Sequence, residues 1–143
     1  MTDFKFTYPI EVRYGDLDPQ GHLNNAKYLT FFEQARIFYF KQLGLFTPDM
    51  SFLDIGVILA DVHLVFQAPV LFGMDVRVGV RTTRLGNKSF DVQQAVIDHA
   101  TGKWMCTGEL VLVCYDYHTG KSIPMPPVWR QQLAIFENLI TGE

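Results

Sequence analysis

Alternating apolar and polar positions in the second half of the chain predict four consecutive β-strands. They cover residues 57–67, 74–85, 90–98 and 104–115. In the second, Val76, Val78 and Val80 alternate with Arg77 and Arg81, as expected for a strand with one buried face. Short glycine-containing links separate the last three strands. Such links join antiparallel neighbours, so we expect a mostly antiparallel sheet.

The first of these strands is apolar on one face and polar on part of the other. Strand alternation places these side chains on one face: Ile58, Ala60, Val62, Leu64 and Phe66. Asp61 and His63 share the opposite face. We interpret that face as a polar outer or interface surface, with pocket lining in a partner subunit as the less favoured alternative.

Residues 25–43 show the period of a helix with an unusually broad apolar face. The apolar positions are Tyr28, Leu29, Phe31, Phe32, Ala35, Phe38, Tyr39 and Leu43. Only a narrow polar stripe remains, so this helix should be nearly enclosed. An edge-like strand containing Pro9 precedes it over 4–14, and a second helix is predicted at 128–140. One broad-faced helix and one sheet indicate an α+β fold in which a curved five-stranded sheet wraps the helix.

Composition and charge narrow the function classes. The 143 residues fit one domain, 1–143, and 48% are hydrophobic, which excludes disorder. A net charge of −3 without a basic run argues against a nucleic-acid partner. The start of the chain lacks a signal-peptide core, and the apolar run 56–66 is too short to insert into a membrane. Cys106 and Cys114 lie about 26 Å apart along one straight strand, which predicts free thiols and a cytoplasmic protein.

The chemistry is concentrated between the first strand and the helix. Residues 13–28 read Arg-Tyr-Gly-Asp-Leu-Asp-Pro-Gln-Gly-His-Leu-Asn-Asn-Ala-Lys-Tyr. Two carboxylates, an imidazole and two carboxamides thus precede a helix N-terminus, where unpaired N–H groups carry partial positive charge. A carboxylate beside such an end can attack an acyl carbonyl and the donors can stabilise the resulting oxyanion. Plain turn chemistry is the alternative: we favour it for Asp16, and the catalytic role for Asp18.

This motif resembles the N-terminal signature of the 4-hydroxybenzoyl-CoA thioesterase-like family of hotdog-fold acyl-CoA thioesterases. The resemblance implies that Asp18 is the nucleophile or general base and that the backbone N–H of Asn25 is the oxyanion donor. The side chain of Asn25 could equally be a helix N-cap. His22 and Asn24 could orient water, Asp18 or the acyl group. The Gly-His-x-Asn-Asn version looks more like the fatty acyl-CoA branch and points to an aliphatic acyl chain.

Further substrate contacts are expected at the end of the motif and in a hairpin turn. Tyr28 closes the motif, and we place it with Asn24 among the substrate-binding residues. The segment Arg84–Phe90 resembles the family's Gly-x-x-Ser-Phe segment, which makes Lys88 and Ser89 candidate contacts to coenzyme A. A solvated turn explains the same residues equally well. The resemblance also implies a homodimer or homotetramer with active sites between subunits, and a substrate carried by coenzyme A or acyl-carrier protein.

The sequence gives weaker support to a metal site or to a second catalytic carboxylate. The spacing of Asp16, Asp18 and Gln20 imitates a calcium loop, but its twelfth position is Lys27, where a bidentate Glu is required. The four histidines show no zinc spacing, so we expect no metal or other cofactor. Glu33 is interpreted as an ion-pair partner of Arg36 on the helix flank rather than a second catalytic carboxylate.

Two other function classes remain open. A hotdog enoyl-thioester hydratase or dehydratase would carry Asp-x-Asn-Pro-x-His, whereas three residues separate Asp18 from His22 and no Asn-Pro is present. A non-catalytic acyl-thioester-binding subunit would not need an intact Asp18. Direct attack by Asp18 and activation of water by Asp18 both stay open.

Overall fold

The computed structural model describes residues 3–54 and 56–139, and its five long strands form one antiparallel sheet. In chain order the elements are β1 (Phe6–Ile10), α1 (Lys27–Gln42), β2 (Val57–Phe66), β3 (Val76–Leu85), β4 (Ser89–Asp98), β5 (Trp104–Asp116), β6 (Lys121–Ser122) and α2 (Pro127–Glu137). The strands lie in the order β1-β3-β4-β5-β2, and the two-residue strand β6 pairs with β5. The predicted element order is confirmed.

Several predicted bounds are wrong by a few residues. β1 ends at Ile10 rather than 14, because the chain leaves β3 there and folds into a 3-10 turn at Tyr14–Asp16. α1 begins at Lys27 rather than 25, because Asn24 first makes a turn. α2 ends at Glu137, and the predicted end at Ile140 lies outside the described residues.

The curved sheet packs around one face of the central helix, which confirms the hotdog fold class, while Leu29, Glu33 and Gln34 on the other side of the helix are exposed. Phe32, Ala35 and Tyr39 of α1 are fully buried, as are Val76, Val78 and Val80 of β3. Helix and sheet approach closely at Gly108 of β5, where a Cβ would lie 2.6 Å from the ring of Phe32. A larger residue at 108 would therefore push β5 away from the helix.

Strand β2 contains a bulge that changes which side chains share a face. Leu59 pairs with Leu112 and Val62 with Leu110, with a register shift between Leu59 and Asp61. Since Leu110 and Leu112 are buried, Leu59 shares the inner face with Val62. The expectation that Ile58 and Ala60 share that face is wrong, because the extra residue reverses the alternation before it.

The same strand forms one edge of the sheet. β2 pairs with β5, no second strand pairs with its other side in the described residues, and Val65 and Phe66 are each 45% exposed. Asp61 and His63 are exposed on its outer face, where His63 lies opposite Glu109. Within the described chain, no helix is long and apolar enough to cross a membrane.

Candidate active site

A tight turn between β1 and α1 positions the candidate carboxylate. The backbone N–H of Asp18 donates to the carbonyl of His22 at 2.7 Å, and Gly21 N–H donates to the carbonyl of Asp18 at 3.0 Å. Gly21 has a φ of 80°, a left-handed conformation that favours glycine. The turn therefore places Asp18 and His22 side by side at the start of the helix.

The carboxylate of Asp18 is held through one oxygen only. Its Oδ1 accepts the backbone N–H groups of Gln20 at 2.9 Å and of His22 at 3.0 Å. Its Oδ2 has no hydrogen-bond partner among residues 3–54 and 56–139. The turn thus fixes the orientation of the carboxylate and leaves one oxygen available for chemistry.

That carboxylate lies at a cavity of about 310 Å³. The cavity is lined by Asp18, His22, Leu23, Asn25 and Tyr28 and, after β2, by Phe66, Gln67, Ala68 and Pro69. The ring of Tyr28 packs edge-on against Phe66, with centroids 5.0 Å apart. Burial raises the pKa of Tyr28 to about 12, so its phenol stays protonated at neutral pH. Four of the predicted site residues therefore meet at one cavity.

The two asparagines before α1 have different surroundings. Asn24 Oδ1 accepts the backbone N–H of Ala26 at 2.9 Å, which ties the side chain into the turn. The side chain of Asn25 makes no capping bond, so the N-cap alternative for Asn25 is wrong. The backbone N–H of Asn25 has no acceptor in the described part of the chain, although Asn25 lines the cavity with Asp18. This donor also lies at the positive end of a 16-residue helix.

Asp16, two residues before Asp18, is buried and paired. Its Oδ1 lies 3.1 Å from Arg13 Nη2, and its Oδ2 accepts the backbone N–H of Arg13 at 2.9 Å. Side-chain hydrogen bonds from Arg13 lower the pKa of Asp16 despite its burial. The backbone carbonyl of Asp16 also accepts Asn24 N–H at 2.9 Å. Asp16 therefore shapes the loop, in agreement with its interpretation as a turn residue.

Lys88 and Ser89 lie at the other end of the sheet. Cys114 N–H donates to the carbonyl of Lys88 at 2.7 Å, whereas Phe66 at the cavity pairs with Cys106. Eight residues of extended β5 separate these positions, about 26 Å. Within one chain the candidate coenzyme A contacts are therefore far from Asp18.

The predicted Glu33–Arg36 ion pair is wrong. No carboxylate of the described residues lies within 4.0 Å of the Arg36 guanidinium. Arg36 is only 7% exposed and donates from Nη1 to Oε1 of the buried Gln94 at 3.0 Å. The sequence does contain a signal for this burial: Arg36 stands four residues from Phe32 and from Phe40, on the apolar face.

The cavity wall from β2 onward is the part that sequence reasoning missed. Phe66, Gln67, Ala68 and Pro69 stand about 40 residues from the motif. Their position depends on two contacts across the fold: Leu23 N–H donates to Val70 O at 2.7 Å, and His22 bridges to Leu71. No local pattern carries that information.

The sequence of this chain is similar to those of known thioesterases. The family model of the thioesterase-like superfamily matches residues 12–133. The long-chain acyl-CoA thioesterase FadM of Escherichia coli K12 is 26% identical over 128 residues, which cover 87% of this chain and 93% of FadM.

Solved structures are similar over nearly the whole chain. The crystal structure of a thioesterase from Thermus thermophilus, complexed with coenzyme A and zinc, matches with a TM-score of 0.85 and 33% identity, covering 99% of this chain and all (100%) of that one. The 1,4-dihydroxy-2-naphthoyl-CoA thioesterase Slr0204 of Synechocystis matches with a TM-score of 0.78 at 19% identity, over 90% of this chain and 95% of its own. That second likeness concerns the fold alone.

Proposed function

The chain belongs to the thioesterase-like superfamily and is a thioester hydrolase, and we propose that it hydrolyses acyl-CoA thioesters to a free acid and coenzyme A through Asp18. The observation that carries this proposal is the pairing of two unused groups at one cavity. Oδ2 of Asp18 and the backbone N–H of Asn25 both lack partners among the described residues, and both residues line the cavity at the N-terminus of α1.

These two groups match the needs of acyl transfer. Asp18 acts either as the base that takes a proton from the water attacking the acyl carbon, or as the nucleophile. In the second case loss of the thiolate leaves a mixed anhydride on Asp18, which water then hydrolyses to the free acid. The N–H of Asn25, reinforced by the helix dipole, donates to the oxyanion that forms. The C–S bond then breaks, and coenzyme A leaves as a thiolate that needs no strong general acid, because a thiol has a pKa of about 8.5. His22 and Tyr28 line the cavity and orient the acyl group.

The coenzyme A site is proposed to come from a second subunit. Lys88 and Ser89 lie near the Val57 end of β2, whereas Asp18 lies near the Phe66 end. If two β2 edges pair antiparallel about a two-fold axis, each Phe66 end lies beside the partner's Val57 end. Such a dimer brings the partner's Lys88 towards Asp18. The exposed apolar side chains of β2 support this pairing, because long exposed apolar edges are normally covered.

A cytoplasmic location is also part of the proposal. Cys106 and Cys114 are both free and buried. Burial raises the pKa of Cys106 to about 12 and that of Cys114 to about 11, so both remain thiols. Free cysteines in a chain of this size are typical of a reducing compartment.

A thiol-release assay across an acyl-CoA panel tests the proposed function. We expect release of coenzyme A from medium- and long-chain aliphatic acyl-CoAs, with much weaker release from aromatic ones. The same acyl groups attached to acyl-carrier protein show whether the enzyme prefers that carrier or coenzyme A. Incubation with an enoyl-CoA shows whether it hydrates the double bond instead. A folded protein that releases no thiol from any substrate, or that only hydrates enoyl-CoA, would disprove the proposal.

A further inference from the structure

A second cavity lies between α1 and the inner face of β2. It has a volume of about 290 Å³ and is lined mainly by apolar and aromatic side chains, among them Phe40, Phe52, Leu59 and Tyr117. α1 packs on β1, β3 and β4, and the inner face of β2 forms the other wall of both cavities, Phe66 at the first and Leu59 at the second. A groove between α1 and β2 therefore leads from Asp18 towards this second cavity.

One face of α1 connects the two cavities. Asn25, Leu29, Glu33 and Arg36 follow each other at spacings of four, four and three residues, which places them on one side of the helix. Asn25 lines the first cavity, Glu33 and Arg36 line the second, and Leu29 between them is 36% exposed. An extended alkyl chain bound at Asn25 can thus run along the apolar side chain of Leu29.

The second cavity holds a buried cation with spare donors. A guanidinium has five N–H groups, and Gln94 receives one hydrogen bond from Arg36. Gln94 itself is fully buried and donates to the carbonyl of Phe32 at 3.0 Å, so it offers Arg36 a single acceptor. Burial lowers the pKa of Arg36, and the negative charge of Glu33 opposes this effect. The other N–H groups of Arg36 make no hydrogen bond in the described residues and are not among the buried atoms there that lack a partner, so they open onto the cavity, where water or a ligand can accept from them.

Resting on the proposed function, we infer that this cavity receives the far end of a long aliphatic acyl group and that Arg36 and Glu33 select a hydroxyl at that end. A hydroxyl accepts from the guanidinium and donates to the carboxylate, so it suits both neighbours. A terminal carboxylate would be attracted by Arg36 but repelled by Glu33, and a plain methyl group would displace the water that otherwise accepts from the Arg36 donors.

The distance along the helix between Asn25 and Arg36 sets the length of the acyl chain that can reach the second cavity. Eleven residues separate Asn25 from Arg36, which is roughly 16 Å at helical rise. An extended chain advances about 1.2 Å per bond, so about thirteen bonds reach from the acyl carbon to the guanidinium. A single aromatic ring or a six-carbon chain ends well short of Arg36.

Matched substrates test this inference in the full-length protein. Hexanoyl-CoA and tetradecanoyl-CoA, each with and without a hydroxyl on the terminal carbon, are compared by thiol release. We expect kcat/KM to be about tenfold higher for the hydroxylated than for the plain tetradecanoyl substrate, as for one hydrogen bond to a charged group. The two hexanoyl substrates should be hydrolysed equally. In Glu33→Gln and in Arg36→Lys, the ratio of kcat/KM for the hydroxylated to that for the plain tetradecanoyl substrate should fall towards one.

Controls separate a specific contact from a structural effect. Glu11→Gln removes another exposed carboxylate and should keep the wild-type ratio. Glu33 is exposed, so its variant remains informative even if Arg36→Lys does not fold. Thiol release with a wild-type ratio near one, an unchanged ratio in Glu33→Gln, or a stronger preference for a terminal carboxyl group would each overturn the inference. Absence of thiol release from all four substrates would instead overturn the proposed function.

Discussion

Asp16 and Asp18 stand two residues apart in the loop before α1, and their carboxylates have different surroundings. Asp16 is 1% exposed, and both of its oxygens receive hydrogen bonds from Arg13. Asp18 is held through Oδ1 alone and lines the cavity with Oδ2 unpaired in the described residues. The sequence favours a turn role for Asp16 and a catalytic role for Asp18, and the hydrogen bonds agree with the turn role of Asp16 and leave one oxygen of Asp18 unpaired among the described residues.

Asp18→Asn should lower kcat by about 100-fold or more, with a smaller effect on KM, because the reacting centre loses its base or nucleophile. The carboxamide can still accept the N–H groups of Gln20 and His22, so the turn should persist. Asp16→Asn is the matched control and should cost less activity once the variant is folded. Steady-state kinetics on both variants, with circular dichroism to verify folding, measures the difference. A larger loss of kcat in folded Asp16→Asn would reverse the assignment.

Asp16→Asn should instead change how stability depends on pH. Because Arg13 lowers the pKa of Asp16 in the folded protein, the ionised pair contributes stability above the unfolded pKa of about 3.9. That contribution is lost as the pH falls through the lower folded pKa. The difference in unfolding free energy between wild type and Asp16→Asn should therefore be larger at pH 7 than near pH 3. Urea unfolding at the two pH values measures this difference. A difference in unfolding free energy that is the same at both pH values would contradict the prediction.

At the level of elements, hydrogen bonds from a partly buried polar cluster attach α2 to α1 and β3. Tyr39 of α1 donates from its hydroxyl to Glu137 Oε2 at 2.5 Å, and the backbone N–H of Thr82 donates to the same oxygen at 3.1 Å. Pairing of β1 with β3 stops at Val80, so this carboxylate covers an N–H of β3 that β1 does not reach. Burial raises the pKa of Tyr39 above its usual value.

Removing that carboxylate should loosen the attachment. We expect Glu137→Ala to lower the free energy of unfolding by about 1 kcal/mol, typical of a lost hydrogen bond, and to speed hydrogen exchange at the Thr82 amide. Urea unfolding and amide exchange followed by NMR measure the two effects. Glu11→Ala, on an exposed side chain, is the control. Unchanged exchange at Thr82 in the variant would show that Glu137 does not protect this edge of the sheet.

At the level of the whole molecule, one chain does not bring the two halves of the proposed site together. Asp18 lies by the Phe66 end of β2, and Lys88 lies by the opposite end, about 26 Å away along the strand direction. If Lys88 contacts coenzyme A as proposed, the site must therefore be shared between two subunits.

Mixing Asp18→Asn with Lys88→Glu should restore turnover that neither variant has alone. Random subunit exchange gives about half heterodimers, and each holds one site with both wild-type residues. Thiol release after mixing measures the recovery, and native mass spectrometry measures the exchange. Asp18→Asn mixed with the Asp18→Asn/Lys88→Glu double variant is the control, since it forms no intact site. Complete exchange without any rise in turnover would contradict the shared-site model.

The sequence by itself determined the order of the elements and the loop that holds the candidate site. Strand and helix periodicity are local properties, and burial of Val76, Val78 and Val80 follows directly from their alternation. The loop motif is also local, so Asp18, His22 and Asn25 could be grouped before their geometry was known. The sheet around one helix follows from the order of the elements and the breadth of one apolar face.

Only the tertiary structure decided which distant groups meet. The bulge in β2 moves Leu59 to the inner face, and burial beside Gln94 turns Arg36 from a surface residue into a buried cation. The separation of Lys88 from Asp18 depends on the strand order, which places β2 beside β5. The helical period indicates that Arg36 lies on the apolar face, but it does not identify Gln94 as its partner. Such pairings join residues far apart in the chain, and the residues next to one partner carry no information about the other.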